Sequence, residues 1–306
     1  AGAGAAYRPT AGRDSTRRAD LLSGGLALID KPAGPTSHDA VAILRRTLQT
    51  RRIGHAGTLD PFATGLLVVL VGPATRLTPY LVGLPKRYTG VIRLGLTTAT
   101  DDLSGEERAR SDAWRELATE AIAAAMAGLT GSRTQTPPAY SAKHVDGERA
   151  HRRARRGEAV RLPPAQVEIH RFTLRHRDGP DVAFEAEVGS GTYLRSLARE
   201  LGESLGCGAH LRELRRTAVG PFDVNESVPL DQAREGRLRL LPALEAVRHL
   251  PHLTIAAELV PRVHHGQAVA AEHAPDGAAV ALVAGDALVG VAERRGAVLQ
   301  PRVVLT

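Results

Sequence analysis

Residues 54–65 read GHAGTLDPFATG. Gly54, Gly57 and Gly65, together with Pro61 and two threonines, leave no room for a regular helix or strand. The stretch is therefore a loop, and its one carboxylate is Asp60. Upstream, Thr36 and Asp39 form a capping-box pattern that opens a helix over Ser37–Leu48, basic towards its end. Downstream, LLVVLVG (66–72) is a short β-branched run with the character of a buried strand. Two readings fit the loop. Asp–Pro is ordinary turn chemistry, and a rigid loop leaving a strand is also a common seat for a catalytic side chain.

Further out, GGLALID (24–30) is a short apolar strand, and KPAGPTSHD (31–39) is a loop imposed by Pro and Gly. KRYTGVIRLGL (86–96) alternates as a strand. Trp114, Leu117, Ile122, Met126 and Leu129 recur at helical spacing, which predicts one helix over Asp112–Leu129. QTPPAYSA (135–142) is extended by its prolines, and ERAHRRARRGEAVR (148–161) is a dense Arg helix. QVEIHRFTLRH and DVAFEAEVG pair as strands about a turn at Asp178–Pro180. YLRSLARELGESLG is an amphipathic helix ending at Gly206. Hairpins outnumber βαβ units, so the fold class is α+β with a largely antiparallel mixed sheet flanked by helices. From Leu241 short β runs broken by Gly–Asp and Arg–Gly turns mark a small all-β module.

The expected organisation is a disordered basic tail over 1–24, a catalytic domain over 25–240 with an insertion around 130–165, and the all-β module over 241–306. The tail's Arg and Ser content also fits a transit peptide, against which Asp14 and Asp20 count. The net charge of +7 comes almost wholly from arginine, since Lys31, Lys86 and Lys143 are the only lysines. Arg forks suit phosphate and base edges, which points to nucleic acid ahead of a membrane. A GC-rich codon bias would enrich Arg as well. Cys207 is the single cysteine, so no internal disulfide forms, as in a reducing, cytoplasmic compartment. No metal-ligand spacing occurs, and no apolar run reaches the roughly 20 residues that span a bilayer.

The loop GHAGTLDPFATG resembles the catalytic motif of the TruB family of pseudouridine synthases, and KPAGPTSHD resembles that family's preceding motif. Further similar segments follow in order: KRYTGVIRLGLTTATDDLSGE (86–106), QTPPAYSAKHVDGERAHRRARRGE (135–158) and GSGTYLRSLARELGESLGCGAHLRELRRTAVGPF (189–222). The resemblance runs from about Gly25 to Asn225, and the tail past Leu241 is similar, more loosely, to a PUA-type RNA-binding module. It implies the pseudouridine synthase fold and conversion of the T-loop uridine of tRNA, at position 55, to pseudouridine; separately, a monomer is expected.

The resemblance also implies roles. Asp60 is the nucleophile, Arg195 its ion-pair partner, and Tyr193 a residue of proton transfer. Tyr88 stacks on the target base, Leu214 walls the uracil pocket, and His55 holds the RNA loop with its base flipped out. Lys31, in a motif beside the site, is expected to bind substrate. A flipped base needs an aromatic platform, and an adjacent guanidinium favours the ionised form of a carboxylate. No atom is gained or lost in the isomerisation, so no cofactor is expected. Arg152, Arg153 and Arg156, in the Arg-dense stretch, are expected to meet the phosphates of the T-arm, with Arg212, Arg215 and Arg216 as a second patch. Taken alone, Arg195 also reads as a surface helix residue, Tyr88 as a strand ring and the Arg run as a solvated face. Two alternatives stay open: a catalytic subunit of a guide-RNA particle, and an RNA-folding protein on the same scaffold.

Overall fold

The computed structural model describes residues 24–140, 144–145, 148–149, 153, 156, 158, 162–270 and 278–305. The basic tail expected over 1–24 lies almost wholly outside these residues, as does most of the Arg-dense segment, including Arg152.

The loop is placed by the elements on either side of it. β1 (Gly25–Lys31) leads into the helix α1 (Ser37–Thr47), whose Thr36–Asp39 capping box is present in both directions. β2 (Ile53–His55) precedes the loop and β3 (Thr64–Val71) follows it. β4 spans Lys86–Leu94, β5 Gly131–Gln135, β6 Ala165–Asp178, β7 Asp181–Val188, β8 Ala209–Val219 and β9 Val228–Pro229. These strands form one sheet in the order β9-β1-β3-β8-β4-β7-β6-β5. Pairing is antiparallel except for β1 with β9 and β3 with β8. β3 pairs in the ladder with β8 only at Thr64 and Gly65, and at Val69–Val71 it pairs with β2 instead. The sheet therefore splits just after the loop, and residues 56–63 sit at the split.

One face of the sheet is covered by α1, by α2 (Thr119–Gly128) and by α3 (Leu194–Ser204), burying Leu44, Met126, Phe172, Phe184 and Leu197 in one core. The sequence predicted a single helix over Asp112–Leu129. Instead a 3-10 turn at Ala113–Glu116 is followed by α2, with Leu117 extended between them (φ −79°, ψ 125°). Arg177 of β6 explains the break. Its guanidinium donates to the carbonyls of Trp114 and Leu117, which a continuous helix would need for its own ladder.

The C-terminal strands are β10 (His252–Thr254), β11 (Val269–Ala270), β12 (Ala279–Ala284), β13 (Ala287–Arg295) and β14 (Val298–Val304), in the sheet order β10-β12-β13-β14-β11. Leu241–Pro242 pairs with β1 and so belongs to the large sheet. The small sheet is not tethered at a distance. Ala281, Leu288 and Val291 share a core with Leu26, Leu28, Leu66 and Phe222 on the back of the large sheet. Among the described residues no helix is long and apolar enough to cross a membrane.

Because this core is common to both sheets, Leu26→Ala should cost about 2–5 kcal/mol. It should lower the melting of both sheets in one transition. Two separate transitions by calorimetry, with only one of them shifted, would contradict the shared core.

Candidate active site

Asp60 stands at the crest of the loop, with its side chain 33% exposed. Its carboxylate receives Arg195 Nε at 2.9 Å on Oδ2 and Arg195 Nη2 at 3.3 Å on Oδ1. Arg195 is in the first turn of α3 and its side chain is only 4% exposed. The rest of its fork is also occupied. Nη1 donates to Thr100 O at 3.1 Å and Nη2 to Tyr140 O at 2.8 Å. Asp102 Oδ2 lies 3.6 Å from Arg195 Nε. A two-pronged Arg–carboxylate pair fixes the plane of the carboxylate.

The loop is pinned from outside itself. Ser37, buried at the start of α1, accepts from Leu59 N at 2.8 Å and donates to Leu59 O at 3.1 Å. Gly34 N donates to Pro61 O at 2.8 Å. Lys31 has no exposed surface, and its Nζ donates to Pro32 O (2.8 Å), Pro35 O (2.9 Å) and Pro61 O (3.3 Å). Burial lowers the Lys31 pKa to about 8, with the Asp60 charge opposing the shift. The expectation that Lys31 binds substrate is therefore corrected. A fully buried ammonium whose hydrogens all go to backbone carbonyls supports the loop and offers no surface to RNA.

The other expected residues fall as follows. Tyr88 on β4 and Leu214 on β8 are each 8% exposed and belong to the helix-covered core beside the loop. Their strands are paired, Tyr88 opposite Arg216 and Leu214 opposite Gly90. His55 ends β2, half-buried. Burial first, then the Arg216 and His38 charges, lower its pKa, so the neutral ring is favoured. Tyr193 caps α3, and its N–H donates to the buried Gln135 Oε1 at 2.8 Å. Arg153 and Arg156 lie apart from this cluster. Arg153 pairs with Glu158 at 2.9 Å, and Arg156 with Glu148 and Glu158 at 2.7 Å each.

The second Arg patch read from the sequence loses Arg216 to the core, and its other two members are partly exposed and ion-paired. Arg216 is 1% exposed and bonded to carbonyls of the loop. Arg215 pairs with Asp30 at 2.7 Å, and Arg212 pairs with Asp181. Sequence reading also missed Ser37, Gln135 and Asp102. Asp102 had a local signal, for its Oδ1 accepts from Ser104 N at 2.9 Å in an Asx turn written as Asp-Leu-Ser. Among the described residues no group of three or more His, Cys, Asp or Glu is placed to hold a metal ion.

Residues 45–194 match the family described as TruB family pseudouridylate synthase (N-terminal domain). Residues 195–238 match the tRNA pseudouridylate synthase B C-terminal domain, and 251–305 the pseudouridine synthase II TruB C-terminal domain. The chain is 46% identical over 286 residues to tRNA pseudouridine synthase B of Leifsonia xyli subsp. xyli, covering 90% of this chain and 94% of that one. For the protein of the same name from Thermobifida fusca the identity is 45% over 302 residues, covering 92% and 99%. Two solved structures are similar over nearly the whole chain. One is an H/ACA RNP bound to a substrate RNA containing 2'-deoxyuridine, with TM-score 0.71 and 26% identity, covering 94% of this chain and 87% of that one. The other is a Cbf5-Nop10-Gar1 complex, with TM-score 0.72 and 27% identity, covering 95% and 87%.

A split mixed sheet presenting one Arg-held aspartate, backed by a small β module, is the pseudouridine synthase fold. Within that class the chain belongs to the TruB family.

The buried lysine gives this site a pH signature. Below about pH 8 Lys31 is charged in folded and unfolded chains alike, and above its ordinary value of 10.5 it is neutral in both. Between the two, only the unfolded chain holds the proton, so the Lys31 contribution makes stability rise with pH across that window. Lys31→Met should be less stable than the parent at every pH, because three carbonyls lose their donor. The gap should widen from pH 8 to 10 in urea titrations, and a constant gap would refute the lowered pKa.

Proposed function

We propose that the chain isomerises uridine to pseudouridine in the T-loop of tRNA, at position 55, without a guide RNA. The observation that carries this reading is the two-pronged Asp60–Arg195 pair in a family whose similar members are named tRNA pseudouridine synthase B. The N1–C1′ bond breaks, the base turns, and C5 bonds to C1′. The hydrogen leaves C5 and N1 ends protonated, so the atoms balance with no redox partner.

In this reading Asp60 is the nucleophile, held and correctly turned by Arg195. The target base leaves the RNA stack and rests on Tyr88 against Leu214. His55, favoured as the neutral ring, helps to hold the opened loop. Tyr193, fixed at the head of α3 by Gln135, takes part in moving the C5 proton. Arg152, Arg153 and Arg156 meet T-arm phosphates, which displace Glu148 and Glu158 from the last two. Exposed ion pairs of that kind are worth only about 0–1 kcal/mol, so the exchange costs little.

We take the working units to be a catalytic unit over 25–240, with its insertion around 130–165, and an RNA-binding module over 241–306. The first residues of that module lean on the large sheet. The protein acts as a monomer in the cytoplasm, with no metal. The guide-RNA alternative is less favoured, because the RNP structures share 26–27% identity against 45–46% for the tRNA synthases.

Purified protein should form pseudouridine in an unmodified T-arm transcript in the presence of a chelator. Asp60→Asn should abolish this while leaving tRNA affinity within about threefold of the parent. Activity that appears only with added RNA or protein partners would defeat the stand-alone reading, and turnover by Asp60→Asn would remove Asp60 from its role.

Replacing Arg153 and Arg156 by Gln should weaken tRNA binding and reduce the salt slope by about one to two units, near one per phosphate lost. An unchanged slope would assign both arginines to their glutamates alone.

A further inference from the structure

Arg216 is the largest fully buried side chain among the described residues, and it bonds the catalytic loop. It is 1% exposed, and its hydrogen-bond partners among the described residues are all backbone carbonyls. Nε donates to Leu66 O at 2.8 Å, Nη1 to Thr58 O at 3.3 Å and Nη2 to Gly57 O at 3.1 Å. One planar fork thus ties the entrance of the loop, 57–58, to its exit at 66, with Asp60 at the crest between them. Lys at this position would carry the charge but could not span both ends.

The two glycines that bracket Asp60 lie beside this side chain and its backbone. Gly57 has φ +122°, and a Cβ there would lie 3.6 Å from Arg216 Nη1. Gly65 has φ +101°, and a Cβ there would lie 2.3 Å from Arg216 O, closer than atoms can approach. Gly65 thus serves the passage of the Arg216 backbone as well as the turn itself, while Gly57 serves the turn through its positive φ. The buried charge also reaches the other side of the loop, where it helps to lower the pKa of His55.

We infer that Arg216 is a positioning residue for Asp60, closing the catalytic loop into a ring that fixes the carboxylate while making no contact with the RNA. This rests on Asp60 being the nucleophile. The guanidinium holds both ends of the loop, and Arg195 then meets a carboxylate already in place. An Arg so buried has no surface for phosphate, although its neighbours Arg212 and Arg215 are partly exposed.

The test measures single-turnover pseudouridine formation at saturating tRNA, tRNA affinity, melting temperature and the NMR titration of His55. Folded Arg216→Lys and Arg216→Gln should lose at least about tenfold in rate while affinity stays within about threefold. Arg216→Gln should also raise the His55 pKa. A parent-like rate in folded Arg216→Lys overturns the inference, and so does affinity falling in step with rate, which would mark an RNA contact. An unmoved His55 titration in Arg216→Gln does the same. If these variants do not fold, Gly57→Ala, which strains the loop entrance that Arg216 holds (φ +122°) and keeps the charge, carries the same expectation for rate and affinity, and a parent-like rate overturns it. An active Asp60→Asn would instead sink the nucleophile reading, and the His55 shift would remain as evidence of the ring.

Discussion

The carbonyl oxygens of Gly57, Thr58, Pro61 and Leu66 are bound by two buried cations, Arg216 and Lys31. A loop rich in glycine would ordinarily exchange among many backbone states, because glycine restricts so little. Here its orphan carbonyls, which water would otherwise satisfy, are taken by donors that cannot leave. The position of Asp60 therefore follows from side chains on β1 and β8, strands far from it in sequence. Leu59, the residue before Asp60, is held in both backbone directions by Ser37 at the start of α1.

Burying two cations against carbonyl dipoles is costly, since a carbonyl neutralises no charge. The lowered Lys31 pKa, about 8, reports that cost. The cost has a use. Arg216, Lys31 and Arg195 set positive charge around the loop, with the Asp60 carboxylate partly exposed among them. Such a field attracts a polyanion.

This explains which parts of the molecule were legible in the sequence. The capping box at Thr36, the turn at Asp178–Pro180, the end of α3 at Gly206 and the alternation of β4 are local patterns, and each is present. The Asp60–Arg195 pair came from a family motif, because 135 residues separate the partners. Local pattern failed where a distant side chain intervened. Helical spacing across Asp112–Leu129 was real, yet Arg177 took the carbonyls that would have continued the helix. Arg216 was read with Arg212 and Arg215 as a surface patch because three arginines within five residues look alike in sequence. Alternation along β8, disturbed by two bulges against β4, sends one of them into the core and leaves the others at the surface.

The contrast in exposure between Asp60 and its holders bears on how such a site can act. The carboxylate is 33% exposed, and the Arg195 side chain that grips it is 4% exposed. A fully buried nucleophile could not reach a flipped base, while a fully exposed one would lose its ion pair to solvent and adopt many rotamers. Placing the flexible partner in the core and the reactive one at the mouth gives fixed geometry and access together. The same division holds at the next layer, where buried Gln135 fixes the backbone of the half-buried Tyr193. In both places the more exposed group is aimed by a buried one.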